Sequence, residues 1–211
     1  MHLSRISISV VVTLVAALWA LYLFFVEGVS LGWAHIRPFS VVVGGLVLVG
    51  LWFEHFLWRQ WPFKYMVKLP DIRGTWEAVL QSDYVRPGET EPVPPIRCFF
   101  PVEQTYSHLK FGMLTRESSS WLIAHSILPA DVGDGYQIVG VYRNEPKMDV
   151  RDRSDTHRGA LILKTHGPSG KPTSLTGEYW TDRTTKGSLR LESRIDKVHS
   201  QFEDAGAAFL S

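Results

Sequence analysis

Two kinds of apolar pattern divide the chain near residue 70. Before that point apolar residues run on almost without interruption. Ile6 to Val26 (ISISVVVTLVAALWALYLFFV) carries no charge, and at roughly 1.5 Å per residue it would reach about 31 Å as a helix. Phe39 to Trp58 (FSVVVGGLVLVGLWFEHFLW) repeats the pattern, with Glu54 as its one charged residue. The reading is an N-terminal hairpin of two transmembrane helices, spans 6–26 and 39–58, within a segment 1–70 that ends in a juxtamembrane linker. Trp19, Tyr22, Trp33, Trp52, Trp58 and Trp61 stand largely toward the ends of these spans, as an interfacial aromatic belt requires. A cleaved signal peptide is the competing reading of the first run. Its apolar core would normally be ~7–15 residues, and here a second span follows directly.

After Pro70 the pattern shortens and begins to alternate. Eight extended segments are expected at 71–80, 96–104, 107–114, 119–128, 135–143, 157–166, 173–182 and 187–195. Turn signals separate them: Pro87-Gly88, Pro94-Pro95, Asp134-Gly135, Pro168-Ser169-Gly170 and Lys186-Gly187. No amphipathic helix intervenes, so a parallel sheet with crossover helices is not expected. The expected fold class is therefore a membrane α-helical hairpin followed by an all-β domain, 71–195, forming a small eight-stranded antiparallel β-barrel. A barrel of that size can hold one small ligand. Residues 196–211 read as a C-terminal tail.

Charge adds an orientation and removes a function class. Arg5 precedes the first span, and Arg59, Lys64 and Lys68 follow the second. The positive-inside rule then places both termini in the cytoplasm of a multi-pass bacterial inner-membrane protein. From Asp71 onward there are 17 basic and 19 acidic residues, so the β domain lacks the basic face a DNA or RNA binder needs. Cys98 stands alone, which leaves no disulfide framework and no multi-cysteine metal site. The histidines at 2, 35, 55, 108, 125, 157, 166 and 199 show no metal-ligand spacing. Phosphate loops, H-E-x-x-H and G-x-S-x-G are absent from the sequence, so neither a catalytic group nor a cofactor is expected.

Two segments carry candidate chemistry. Gly74-Thr75-Trp76 opens the first strand, where an indole can seal one end of a barrel; that reading is structural. In Gly177 to Gly187 (GEYWTDRTTKG), an extended chain would place Tyr179, Thr181, Arg183 and Thr185 on one face. An aromatic plane, two hydroxyls and a guanidinium suit a ligand with a base to stack and a phosphate to pair. They equally suit an exposed hairpin edge, and spacing does not separate the two. The Ser118 to Ser120 run reads as strand capping, and Cys98 as a small buried apolar residue.

Four motifs in order carry a resemblance: D-I-R-G-T-W (Asp71 to Trp76), E-Q-T (Glu103 to Thr105), Y-R-N-E-P (Tyr142 to Pro146) and G-E-Y-W-T-D-R-T-T-K-G (Gly177 to Gly187). Behind two apolar runs, they resemble the membrane-anchored β-barrel effectors of CBASS anti-phage systems, which are cyclic-dinucleotide receptors associated with a nucleotidyltransferase. Tyr106 stands where that family more often has Trp. The resemblance implies that the barrel binds a cyclic dinucleotide made by the cognate nucleotidyltransferase. Subunits then self-associate, and the helices disrupt the lipid bilayer of the infected cell. It implies that Arg183 pairs with a ligand phosphate, Thr181 and Thr185 hydrogen-bond beside it, and Tyr106, Tyr142 and Tyr179 stack on bases. A membrane-tethered, lipocalin-like barrel holding an apolar molecule is the main alternative, and a membrane-bound hydrolase a weaker one. An inward-pointing Arg183 would favour the receptor over the lipid carrier.

Overall fold

A computed structural model describes residues 8–25, 33–152 and 154–210. The chain divides into two compact units, one comprising residues 1–66 with 105–107, the other 67–104 with 108–211.

In the first unit, α1 (Ile8–Phe25) is followed by α2 (Trp33–His55), a 3-10 turn (Leu57–Arg59) and a single helical turn α3 (Phe63–Met66). The expected transmembrane hairpin is overturned: among the described residues, no helix is long and apolar enough to cross a membrane. The 18 residues of α1 reach about 27 Å, short of the ~30 Å hydrocarbon core. The 23-residue α2 includes Arg37 near its start and Glu54 with His55 at its end, which shortens its uncharged stretch. Beyond His55 the chain leaves the α-helix, so the end of the expected second span is not helical in that sense. Multi-pass placement in an inner membrane, and the orientation argued from Arg59, Lys64 and Lys68, fall with the hairpin. Ile6, Ser7, Val26 and Arg5 lie outside the described residues, as does the first half of the expected loop from Glu27 to Pro38; the second half, from Trp33, is already helical.

Glu54, the one charge of the second apolar run, is held by hydrogen bonds to residues 105–107 of its own unit. Its carboxylate accepts hydrogen bonds from Thr105 Oγ1 (2.5 Å), Ser107 Oγ (2.5 Å) and Ser107 N (2.8 Å). Its own carbonyl accepts from Tyr106 N at 2.9 Å. The Tyr106 ring meets Phe53 edge-on, with centroids 5.1 Å apart. Trp58 is buried rather than interfacial.

The second unit is the barrel expected from the alternation. Strands β1 (Gly74–Ser82), β2 (Ile96–Gln104), β3 (Leu109–Leu114), β4 (Ser118–Pro129), β5 (Tyr136–Pro146), β6 (His157–His166), β7 (Ser174–Thr181) and β8 (Lys186–Ile195) pair in sequence order. The β1–β8 pairing closes the circle, and every pair is antiparallel. Inward positions recur every second residue, as in Trp76, Ala78 and Leu80, where Ala78 faces Cys98 and Leu80 faces Ile96. The interior is packed rather than hollow: Phe100, Phe111, Ile138, Leu163, Leu175 and Leu191 are all buried in one cluster. Burial pushes the Cys98 thiol up to about 12, so it stays protonated as a small apolar group.

The tail expected beyond residue 195 is in fact structured. Helix α4 (Phe202–Ala208) lays Phe202, Ala205 and Phe209 over Phe99 and Leu114. This explains why Phe99 is fully buried although it points outward from β2, beneath α4, while its neighbour Phe100 points inward.

Candidate ligand-binding site

The barrel has two ends of opposite character. At the entry end, where β1 begins, Trp76 is fully buried and its indole N–H donates to Ile72 O at 2.8 Å. The Arg194 guanidinium lies over that indole, 4.8 Å from the ring centroid, and donates to Asp71 O. Gln104 closes the remaining polar groups, accepting from Ile72 N (3.1 Å) and donating to Pro70 O (2.9 Å). The structural reading of the G-T-W motif therefore holds: Trp76, Gln104 and Arg194 are each bonded to the chain's own backbone.

The distal end is formed by the β1–β2, β3–β4, β5–β6 and β7–β8 connections. Here the inward face turns polar. Tyr142 faces Gly159 across β5–β6, and Gly159 faces Thr181 across β6–β7. A Cβ built on Gly159 would lie 2.4 Å from the Tyr142 ring and hydroxyl, so glycine is what lets that ring lie flat against the wall. Gly187 does the same for Tyr179, whose ring edge would be 2.7 Å from such a Cβ. The Tyr179 hydroxyl shares a hydrogen bond with Ser82. Burial, followed by the neighbouring Tyr179 and Asp182, raises the Tyr142 hydroxyl pKa; burial chiefly raises that of Tyr179. Both therefore remain neutral hydrogen-bonding groups. Beneath them lies a cavity of about 20 Å³ lined by Leu80, Phe100, Phe111, Ser120, Leu161 and Leu189, with both tyrosines at its wall.

Arg183 does not follow the expected geometry. The spacing argument assumed an extended chain from Tyr179 through Thr185, but β7 stops at Thr181. A three-residue loop follows, closed by Thr184 N donating to Thr181 O (3.2 Å) and Thr181 N donating to Thr185 O (2.9 Å). Thr184 occupies the left-handed region at φ 64°, as the last residue of this hairpin loop class requires. The turn carries Arg183 out to the rim, where it is exposed. Its guanidinium donates to Asp155 O and to Ser154 Oγ. The expectation that Arg183 points into the barrel is thus corrected: it guards the mouth from outside. Thr181 and Thr185 are half-buried beside it, their hydroxyls 2.7 Å apart.

Of the six residues singled out from the sequence, Tyr142, Tyr179, Thr181, Arg183 and Thr185 gather at the distal end. Tyr106 does not, because it sits in the β2–β3 turn, at the other end of both strands. Four further polar residues share the mouth: Ser82, Ser120, Asn144 and His157. Ser120 faces Asn144, and Asn144 faces His157, in one row across β4, β5 and β6. Ser120 Oγ donates to Asn144 Oδ1 at 2.8 Å, and Asn144 Nδ2 lies 3.5 Å from His157 Nδ1. Burial lowers the His157 pKa; the Asp155 carbonyl raises it, Arg183 lowers it and Asp182 raises it, in decreasing order. Asn144 could have been found from period two, lying two residues beyond Tyr142, whereas Ser120 and His157 join it only through strand register.

The distal end thus gathers buried aromatic side chains and small polar groups over an apolar interior, with a guanidinium on the rim bonded to neutral oxygens. Comparison with known proteins agrees with this division of the chain. Residues 67–193 match the family model described as Cap15, cyclic dinucleotide receptor domain. The chain is similar to CD-NTase-associated protein 15 of Staphylococcus schleiferi, 26% identical over 164 residues that cover 77% of this chain and 81% of that one. It is also similar to CD-NTase-associated protein 15 of Yersinia aleksiciae, 26% identical over 158 residues, 69% and 72% of the two chains. With the matched segment running from before β1 into β8, this chain belongs to the Cap15 cyclic dinucleotide receptor domain family.

Proposed function

We propose that the chain is the cyclic-dinucleotide-sensing effector of a CBASS anti-phage system, and that the distal mouth of the barrel is its receptor site. The observation that carries the reading is the family match over residues 67–193; Tyr142, Tyr179, Thr181, Arg183 and Thr185 at the distal end of the barrel support placing the site there. A cyclic dinucleotide offers two bases and two phosphates. The tyrosines are suited to stacking on a base, while Arg183 exchanges the neutral oxygens of Ser154 and Asp155 for a phosphate. The threonine hydroxyls complete the phosphate's hydrogen bonds. Occupancy then drives self-association of the helical units, whose exposed Leu18, Phe24, Phe25, Leu48 and Trp52 supply apolar contact surface. The assembled helices perturb a lipid bilayer, and the infected cell dies before the phage matures.

The apolar-carrier alternative lacks room. Ligand pockets typically enclose about 300–1,000 Å³, and the barrel interior offers about 20 Å³, so an acyl chain would have to displace much of the core.

Titration calorimetry of the full chain with a panel of cyclic dinucleotides tests the receptor reading, and saturable binding to at least one is expected. Removing one charge-assisted hydrogen bond costs about 1.5–3 kcal/mol, so Arg183→Ala should weaken that binding roughly tenfold or more with the melting temperature unchanged. Full affinity in the variant would remove Arg183 from the site, and no binding across the panel would end the receptor reading. Sedimentation velocity and dye release from vesicles, each with and without ligand, test the later steps.

A further inference from the structure

Two side chains meet on one backbone oxygen at the rim of the distal end. His157 opens β6 half-buried, and its Nδ1 lies 3.2 Å from Asp155 O. The Arg183 guanidinium, carried by the β7–β8 turn, donates to that same carbonyl and to Ser154 Oγ. Groups that meet on one atom lie within the roughly 4–6 Å over which one charge shifts the ionisation of another.

Facing a carbonyl, Nδ1 carries a proton, and the ring needs no second one. The free protein favours this neutral form, because burial disfavours the charged ring and Arg183 repels it. Opposing them are the Asp155 carbonyl, from the chain just before β6, and the Asp182 charge, from the β7–β8 turn. Asn144, opposite on β5, brings an uncharged amide. Arg158, the next residue of β6, and Arg143, paired with it, belong to the other face of the sheet.

A phosphate on Arg183 reverses this balance. It replaces Ser154 and Asp155 as the partner of the guanidinium, so its negative charge arrives beside the imidazole and offsets the repulsion. The Asp155 carbonyl is then left to Nδ1, and a positively charged donor makes the stronger hydrogen bond to it. Both changes favour the protonated ring.

Accordingly, we infer that His157 supplies the receptor site with a second cation that exists only in the bound state. The ring is neutral in the free protein and takes a proton from solvent as the phosphate settles on Arg183. The inference rests on the receptor reading above and adds its regulation: acidification tightens binding, by at most about tenfold per pH unit for one proton.

Full-length protein is titrated calorimetrically at about pH 7.5, above the ordinary histidine value, with cyclic di-AMP, cyclic di-GMP, cyclic di-UMP and cyclic GMP-AMP. For whichever binds, the titration is repeated in buffers of low and high ionisation enthalpy, so that the heat reports protons exchanged. The wild type should take up a substantial fraction of one proton, and His157→Gln close to none. Between about pH 8 and pH 6.5 the wild-type affinity should rise by about threefold or more, while that of His157→Gln stays flat. Glutamine keeps an N–H for the Asp155 carbonyl, so the difference reads charge and not packing. Binding by the wild type without proton uptake overturns the inference and leaves the receptor reading standing, as does uptake that survives in His157→Gln. Failure of the wild type to bind any of the four is a different result, since it removes the receptor reading itself.

Discussion

The two ends of the barrel use similar side chains for opposite purposes. At the entry end, an aromatic ring, an arginine and an amide satisfy one another: Trp76 N–H on Ile72 O, Gln104 on Ile72 N and Pro70 O, Arg194 over the indole and on Asp71 O. At the distal end an arginine, an amide and two tyrosines are again present. Here, however, Arg183 rests on a backbone carbonyl and a hydroxyl at an exposed rim, and the tyrosines line a cavity instead of filling it. Residue types alone do not distinguish a plug from a site. What distinguishes them is whether the polar groups are closed on the chain's own backbone in a dry place, where breaking them is costly, or are held within reach of something that arrives later.

The largest effect should appear at the sealed end. Trp76 is fully buried, and replacing a buried Trp by Ala typically costs about 3–5 kcal/mol. Trp76→Ala should lower the chemical-denaturation midpoint accordingly, while the folded fraction keeps its affinity for the cyclic dinucleotide. Arg183→Ala should do the reverse. If Trp76→Ala instead abolished binding in the folded fraction, the two ends would be one functional unit and the contrast would fail.

Strain sharpens the contrast at a smaller scale. Thr184 holds φ 64°, a conformation that costs an L-residue about 1–2 kcal/mol and glycine nothing steric. Thr184→Gly should therefore stabilise the barrel by about 1 kcal/mol after allowing for the entropy of glycine. Glycine holds the same φ and leaves the backbone that carries Arg183 in place, so affinity for the ligand should be unchanged. A change in affinity would mean that the threonine itself contributes to the site.

This turn also marks where the sequence ceases to be legible. Strand positions were readable because alternation and turn residues agree: β6 at 157–166 and β2 at 96–104 lie where the pattern put them. The β7–β8 connection was signalled at Lys186-Gly187, but the bend that turns Arg183 outward was not, since Thr184 stands where glycine or asparagine would announce a left-handed residue, and six polar residues in a row, Thr181 to Lys186, pass for an exposed strand. The N-terminal apolar runs indicated helices correctly but not their reach, because hydropathy is silent about where a helix stops. Helix α4 was missed, and residues 196–211 passed for a tail, because seven residues are too few for a helical period to stand out. Ser120, Asn144 and His157 lie far apart in sequence and meet through the β4–β5 and β5–β6 register, which no spacing rule contains.

The smallest expected effect is a pH dependence confined to the open end. His157 is partly buried and its pKa lies below the ordinary 6.5, first because burial disfavours the charged ring and then because Arg183 repels it, against the opposing pull of the Asp155 carbonyl and Asp182. The unfolded chain therefore binds a proton at His157 before the folded chain does. Linkage then makes stability rise with pH through the interval between the two pKa values: the contribution is present above about 6.5 and is lost as pH falls through the folded value. The ring is too exposed for a large effect. His157→Gln should flatten this part of the stability profile below pH 6.5 and leave the profile above it unchanged, as read by thermal melts across the range. Nothing comparable is expected from the entry end, where Trp76 and Gln104 do not titrate. A profile in which His157→Gln changes nothing below pH 6.5, while a substitution at the sealed end does, would place the titrating group at the wrong end of the barrel.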